Sequence, residues 1–245
     1  MDIAELSSRL TTGCRILTDQ DIVDAYGHLS ARHPDNDQWF VINRGMSPAL
    51  VTTDDFIVLD LNGQVISGAG VPNAEWPIHA CIYQARPDVG SVLHSHTRLS
   101  KIFSLSSRKL RGLLMVSAPE WQGGLPVYRA PGLITNVDRG AALAEVLGES
   151  SAALLRGHGD VVVGADVTAS VMNAVTLKLN ADVYHEVLAH GDEPELWTDA
   201  ELAQWTNPLR DVQSQAQLRA LQNRAWDYYE ARVDGRLARL LHPEL

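Results

Sequence analysis

His94 and His96, in the run Ser91-Val92-Leu93-His94-Ser95-His96-Thr97, stand two residues apart behind an apolar stretch, Val89-Gly90-Ser91-Val92-Leu93, of β-strand character. Residues i and i+2 of a strand project from one face, so both imidazoles point to one spot. Such a pair on a stiff element suits a transition-metal ion, especially zinc, iron or manganese. The plainer reading is two solvated or hydrogen-bonded histidines. Upstream, Asn73-Ala74-Glu75-Trp76-Pro77 reads as a helix start. Asn73 suits the N-cap, Pro77 the first turn, and Ile78, Ile82 and Ala85 recur with helical spacing. Glu75 then falls where the helix dipole favours negative charge, as a capping carboxylate or as a functional one. Downstream, the strand-like run Ala152-Ala153-Leu154-Leu155-Arg156 leads into Gly157-His158-Gly159. A histidine between two glycines has backbone freedom and little shielding, which suits a ligand delivered at a strand end; a turn histidine is the alternative.

The elements that must position these residues follow from periodicity. An amphipathic helix opens the chain, with Ile3, Leu6, Leu10, Cys14 and Leu17 as its apolar stripe, and ends before Asp19. A short strand over 28–33, a turn over Pro34-Asp35-Asn36-Asp37 and β-rich runs over 39–43 and 56–60 follow, with a tight turn at Leu61-Asn62-Gly63-Gln64. Beyond the Glu75 helix and the histidine strand, the pattern predicts a helix near 100–106 and a strand near 113–117. A Gly/Pro-rich loop over 122–132 and a helix near 136–147 come next. Strands around Leu154 and Val161-Val162-Val163 flank His158, and a long helix from Asp166 to Ala189 closes the core. Strands joined by tight turns and mixed with helices favour a mixed or antiparallel sheet covered by helices. The domain spans residues 1–190. The tail, 191–245, begins with the linker Asp192-Glu193-Pro194-Glu195 and carries a helix over Val212 to Val233 with Trp226, Tyr228 and Tyr229, suited to packing on the body or on a neighbouring subunit.

Composition narrows the partners. The chain has 245 residues, 45% of them hydrophobic, enough for one substantial core. Its formal charge of −10, with Arg108-Lys109-Leu110-Arg111 as the densest basic patch, argues against nucleic acid and anionic membranes. Neither a span of about eighteen apolar residues nor a signal-peptide pattern occurs, so the expected location is cytoplasmic. Cys14 and Cys81, single and far apart, predict neither a disulfide nor a thiolate metal site.

Four motifs in order resemble the class II aldolase/adducin family: Ala74-Glu75-Trp76-Pro77-Ile78-His79, Ala85-Arg86-Pro87-Asp88-Val89, His94-Ser95-His96 and Leu155-Arg156-Gly157-His158-Gly159. The resemblance runs from about Ile3 to about Leu188. It implies a three-layer α/β/α sandwich with a central mixed, largely antiparallel sheet, plus the C-terminal helical tail. It also implies a homotetramer with active sites near subunit interfaces. One divalent ion per subunit (zinc, manganese, iron or cobalt) would be held by His94, His96 and His158, and Glu75 would be the catalytic acid/base. His79 has no role in the pattern and reads as a packing or supporting residue. A tail tyrosine, Tyr228 or Tyr229, is a candidate lid residue or proton donor, as in some relatives.

A divalent ion bound to a carbonyl or hydroxyl oxygen holds the charge that develops when a neighbouring C–C bond breaks. The group that leaves is either an aldehyde, in an aldolase, or CO2, in a decarboxylase. Sugar-phosphate aldolases of the family grip phosphate with a Gly-Asn turn, a Thr-Gly turn and a Ser-Ser pair before the glutamate. This chain has Gly27-His28, Arg44-Gly45 and Asn73-Ala74 there, and Met115 where those aldolases carry a tyrosine. Gly27-His28-Leu29-Ser30 with Arg44-Gly45 resembles the branch that decarboxylates hydroxylated aromatic or pyridine dicarboxylates. His28, Ser30, Arg44 and Gly45 are thus the substrate-binding candidates, with Arg44 a planar fork for a carboxylate. Three alternatives stay open: an aldolase for a non-phosphorylated keto-hydroxy acid, an Fe(II) oxygenase on the same scaffold, and a non-catalytic adducin-like binding protein.

Overall fold

The computed structural model describes residues 1–206 and 212–241; residues 207–211 and 242–245 of the tail lie outside it. Eight strands lie among the described residues: β1 His28–His33, β2 Asn36–Asn43, β3 Phe56–Asp60, β4 Val65–Ser67, β5 Ser91–Ser95, β6 Val127–Tyr128, β7 Ala152–Leu155 and β8 Gly159–Gly164. They form one sheet in the order β4-β3-β2-β1-β5-β8-β7-β6, antiparallel throughout except for β6 against β7. The helices are α1 Ile3–Asp19, α2 Trp76–Ala85, α3 Arg98–Leu105, α4 Ala118–Trp121, α5 Val137–Leu147, α6 Val167–Ala189, α7 Asp199–Thr206, α8 Val212–Val233 and α9 Arg236–Leu241. The paired helices α2 and α5 cover one face of the sheet; α1, α3 and α6 cover the other, with α8 against α1 and α6. No helix among the described residues is long and apolar enough to cross a membrane.

Strand alternation sorts side chains between the faces. On β5, Val92 packs with Ile78 and Ile82 on the α2 side, whereas Leu93 packs with Leu10, Leu17 and Val171 on the α1/α6 side. Each fully buried side chain of this kind contributes about 1.5–3 kcal/mol by leaving water. Asn136 and Asp166 cap α5 and α6 through side-chain acceptors for the backbone N–H three residues on. Cys14 and Cys81 are free and buried. In the tail, Trp226 is buried in the α1/α6 cluster with the Arg9 guanidinium 3.9 Å over its ring.

Local expectations needed correction at several points. The Glu75 helix begins at Trp76 with Glu75 itself at the N-cap; Asn73 instead donates its amide to the Asn43 carbonyl, 2.7 Å away. The histidine strand starts at Ser91, so His94 lies on it and His96 just past its end. No strand covers 113–117. The buried Asn180 side chain on α6 accepts the Leu113 and Leu114 N–H groups and the Ser117 hydroxyl, which removes the donors a strand would give a neighbour. The 122–132 loop holds β6, paired in parallel with β7, and β2 starts inside the expected 34–37 turn, at Asn36. Finally, α1 runs through Asp19, and Ile3 on its stripe is exposed. The sequence pattern also did not point to α7.

Candidate metal centre

β1 and β5 set the centre of the site. His28 and His94 are direct cross-strand partners, so their side chains share the α2 face, with ring centroids 5.0 Å apart. His94 donates from Nδ1 to the Asp160 carbonyl oxygen at 2.8 Å, which leaves Nε2 as its lone-pair nitrogen. The Asp160 carboxylate accepts from Ser95 Oγ at 2.7 Å and Thr97 Oγ1 at 3.0 Å, and so pins the segment that carries His96. Burial raises the Asp160 pKa, and the hydroxyl donors of Ser100, Ser95 and Thr97 oppose that rise.

The two glycines around His158 have separate causes. Gly157 turns the chain at φ +66°, a conformation side chains resist. A Cβ on Gly159 would come within 2.0 Å of the Ser95 carbonyl oxygen, so β8 can start flush against β5 only with glycine there. Between them, His158 swings its ring to 4.8 Å from His94 and 4.9 Å from His96.

Glu75 completes the cluster from the start of α2. Its Oε1 accepts the Ile134 N–H at 2.8 Å, and its Oε2 lies 3.7 Å from His94 Nε2 and 3.6 Å from His158 Nε2. One donor atom from each of Glu75, His94, His96 and His158 falls within 4.8 Å of all the others. Donors about 2.1 Å from a shared tetrahedral ion lie roughly 3.4 Å from one another, close to the separation of Glu75 Oε2 from His94 Nε2 and His158 Nε2. The Nε2 atoms of His94 and His96 are buried without a hydrogen-bond partner, an arrangement that is costly unless a ligand-binding role fills it. Burial, then the neighbouring histidines, hold His94 well below the usual imidazole range and His96 at about 4. The four residues therefore fit a divalent ion, which needs neutral imidazoles and a carboxylate.

The other candidates sit as follows. Ser30 is fully buried, and its hydroxyl meets His79 and Tyr83 rather than the four-residue cluster. Arg44 forks onto Asp55, with Nε at 2.9 Å and a terminal nitrogen at 2.8 Å from Oδ1. Gly45 donates its N–H to the Val71 carbonyl at 2.7 Å, tying this loop to the segment before Glu75. Met115 is half exposed. Tyr228 and Tyr229 stack edge-on at 5.2 Å on α8; Tyr229 packs on the α1/α6 cluster, away from the histidines of this chain. Two contributors, Ile134 and Tyr26, were not among the sequence expectations, and His79 has a fuller role than expected. Ile134 offers a backbone N–H that no side-chain pattern reveals. Tyr26, exposed, has its ring 6.1 Å from His96. His79 lies in a polar chain that the spacing Glu75, His79, Tyr83 along one helix face foreshadows.

Residues 8–185 match the Class II Aldolase and Adducin N-terminal domain. The chain is 33% identical to "Decarboxylase tropJ" of Talaromyces stipitatus over 197 residues, 70% of this chain and 72% of that one. It is 26% identical to the 3,4-dihydroxyphthalate decarboxylase of Arthrobacter keyseri over 209 residues, covering 80% and 84%. It is 28% identical to the L-fuculose phosphate aldolase of Methanococcus maripaludis over 169 residues, covering 67% and 88%. Among solved structures, L-fuculose 1-phosphate aldolase from Glaciozyma antarctica PI12 superposes with a TM-score of 0.78 at 24% identity, covering 95% of this chain and 91% of that one. The chain belongs to the class II aldolase and adducin family, whose members include decarboxylases, aldolases and epimerases.

Proposed function

From this membership, we propose that the protein is a divalent-metal-dependent carboxy-lyase acting on a hydroxylated aromatic or pyridine carboxylate. The observation that carries the reading is the Glu75 geometry: one carboxylate oxygen tethered to Ile134, the other facing the three histidines. The relatives named as decarboxylases, one of them for a dihydroxyphthalate, support the substrate class. His94, His96 and His158 would hold the ion. When bound, the ion supplies a Lewis acid for charge on an oxygen next to the breaking C–C bond. Once the carboxylate-bearing ring carbon is protonated, the pair of the breaking C–C bond would flow into the ring toward the neighbouring hydroxyl oxygen as CO2 leaves. Glu75, fixed at Oε1, would take the proton of the substrate's hydroxyl at Oε2 and pass it to that ring carbon. Arg44 grips a carboxylate through N–H groups not committed to Asp55, Gly45 lets the loop backbone approach it, and exposed Tyr26 offers a ring face beside His96. Tyr228 and Tyr229 would serve at a neighbouring subunit's site.

We place the active sites near subunit interfaces of a homotetramer. Val71 and Leu133, exposed apolar side chains beside the two segments that hold Glu75, are surfaces a neighbouring subunit would cover. The L-fuculose phosphate aldolase relative supports aldol cleavage as a second reading with the same ligands, here on a small non-phosphorylated keto-hydroxy acid. Incubating the metal-loaded protein with carboxyl-13C-labelled dihydroxybenzoates and dihydroxyphthalates separates the two. Release of labelled CO2 that Glu75→Gln abolishes supports the carboxy-lyase. Aldehyde formation from keto-hydroxy acids, with no labelled CO2, supports the aldolase instead.

A further inference from the structure

A buried polar chain runs away from the metal centre along the α2 face. His28 Nδ1 meets His79 Nε2 at 2.6 Å, His79 Nδ1 meets Ser30 Oγ at 2.6 Å, and Ser30 Oγ meets the Tyr83 hydroxyl at 2.7 Å. Helical spacing stacks His79 and Tyr83 behind Glu75, and strand alternation puts Ser30 behind His28, so the two rows interdigitate. All four residues are buried, and Phe40 lies parallel to the His79 ring, sealing the chain from water.

We propose that this chain fixes His28 as a neutral imidazole that accepts at Nδ1 and carries its proton at Nε2, making His28 a hydrogen-bond donor beside the metal ligands and not a fourth histidine ligand. The direction follows from counting protons. Tyr83, held neutral by burial, keeps its proton, and the acceptor its buried hydroxyl meets is Ser30 Oγ at 2.7 Å, so that proton goes to Ser30. Ser30 has one proton and two acceptors, His79 Nδ1 at 2.6 Å and the Val92 carbonyl at 3.5 Å; the short contact takes it. His79, buried and pushed down to about 3, is neutral, so its single proton sits on Nε2 and is given to His28 Nδ1. The remaining proton of His28 is then on Nε2. His28 is the cross-strand partner of His94, and its Nε2–H is suited to an anionic oxygen of the substrate. Ser30, His79 and Tyr83 are positioning residues that act through His28. The choice of a carboxylate oxygen as the acceptor rests on the carboxy-lyase reading; the direction of the chain does not.

Long-range proton–nitrogen correlation spectra of the zinc-loaded, 15N-histidine-labelled protein test the direction without any substrate. The expected spectrum shows His28 protonated at Nε2 only, with Nε2 not bound to zinc. Protonation at Nδ1, or zinc bound to His28, overturns the proposal. Ser30→Ala and Tyr83→Phe then break the chain at two points while leaving the four ligands in place. Ser30→Ala is expected to release His28 into a mixture of tautomers and weaken 2,3-dihydroxybenzoate binding about tenfold, with zinc affinity unchanged; Tyr83→Phe should do the same to a smaller degree. An unaltered His28 spectrum in both variants overturns the proposal. The expected tautomer together with no binding of any hydroxybenzoate supports the chain and overturns the carboxylate substrate class instead.

Discussion

The α2 face and the α1/α6 face of the sheet are built from the same strands but filled with different chemistry. On β1 and β5 the residues that point to α2 include His28, Ser30 and His94, joined to Glu75, His79 and Tyr83; one residue along, Leu29, Ala31 and Leu93 point the other way into an apolar cluster. The polar side spends stability on buried donors and acceptors that only mutual bonds or an ion satisfy. The apolar side supplies stability through burial. Rigidity for the site thus comes from the opposite side of the sheet it stands on.

That contrast breaks most sharply at adjacent residues. His94→Ala should lose bound metal and turnover together while the protein stays folded, as read by metal analysis and circular dichroism. Glu75→Gln should keep the metal yet lower kcat about 10²–10⁴-fold, the usual weight of a positioned acid or base; full activity would remove Glu75 from its role. Leu93→Ala, one residue from His94, should cost about 2–5 kcal/mol and lower the melting temperature by roughly 5–15 °C, with the folded fraction still binding metal.

Acid sharpens the comparison further. Burial pushes the His79 imidazole from its ordinary 6.5 down to about 3 in the folded protein. Between those values the unfolded chain binds a proton that the folded chain refuses, so stability falls as pH drops through that window. Urea midpoints of the metal-free protein at pH 7 and pH 5 should therefore diverge, and His79→Phe should narrow the gap. The smallest effect is expected from Arg44→Ala: a several-fold rise in KM for a carboxylate substrate at constant kcat. An unchanged KM would leave Arg44 as the partner of Asp55 alone.

Much of this was legible in the sequence because the relevant signals are local. His-x-His on a strand, Gly-His-Gly at a strand end and a Glu just before a Pro-containing helix each encode their own geometry, and the structure gathers His94, His96, His158 and Glu75 within 4.8 Å. The caps of α5 and α6 are local in the same sense. What the sequence did not disclose depends on distant partners. The Ile134 N–H reaches Glu75 only because α5 packs on α2. The 113–117 segment has apolar content suited to a strand, but Asn180, far along the chain, takes its donors. His79 was readable as a packing or supporting residue, but its bonding partners His28 and Ser30 come from β1, in the neighbouring layer.

The central claim, a metal centre on the α2 face that takes carboxylates, is tested most directly by melting the metal-loaded protein against two ligand sets, ortho-hydroxy aromatic and pyridine carboxylates on one side, and phosphorylated hydroxamates with short keto-sugar phosphates on the other. A ligand at a hundred times its Kd stabilises the native state by about 2.7 kcal/mol. The account predicts a rise of several degrees with the carboxylates alone, abolished by His94→Ala. A rise with the phosphorylated set alone would contradict it.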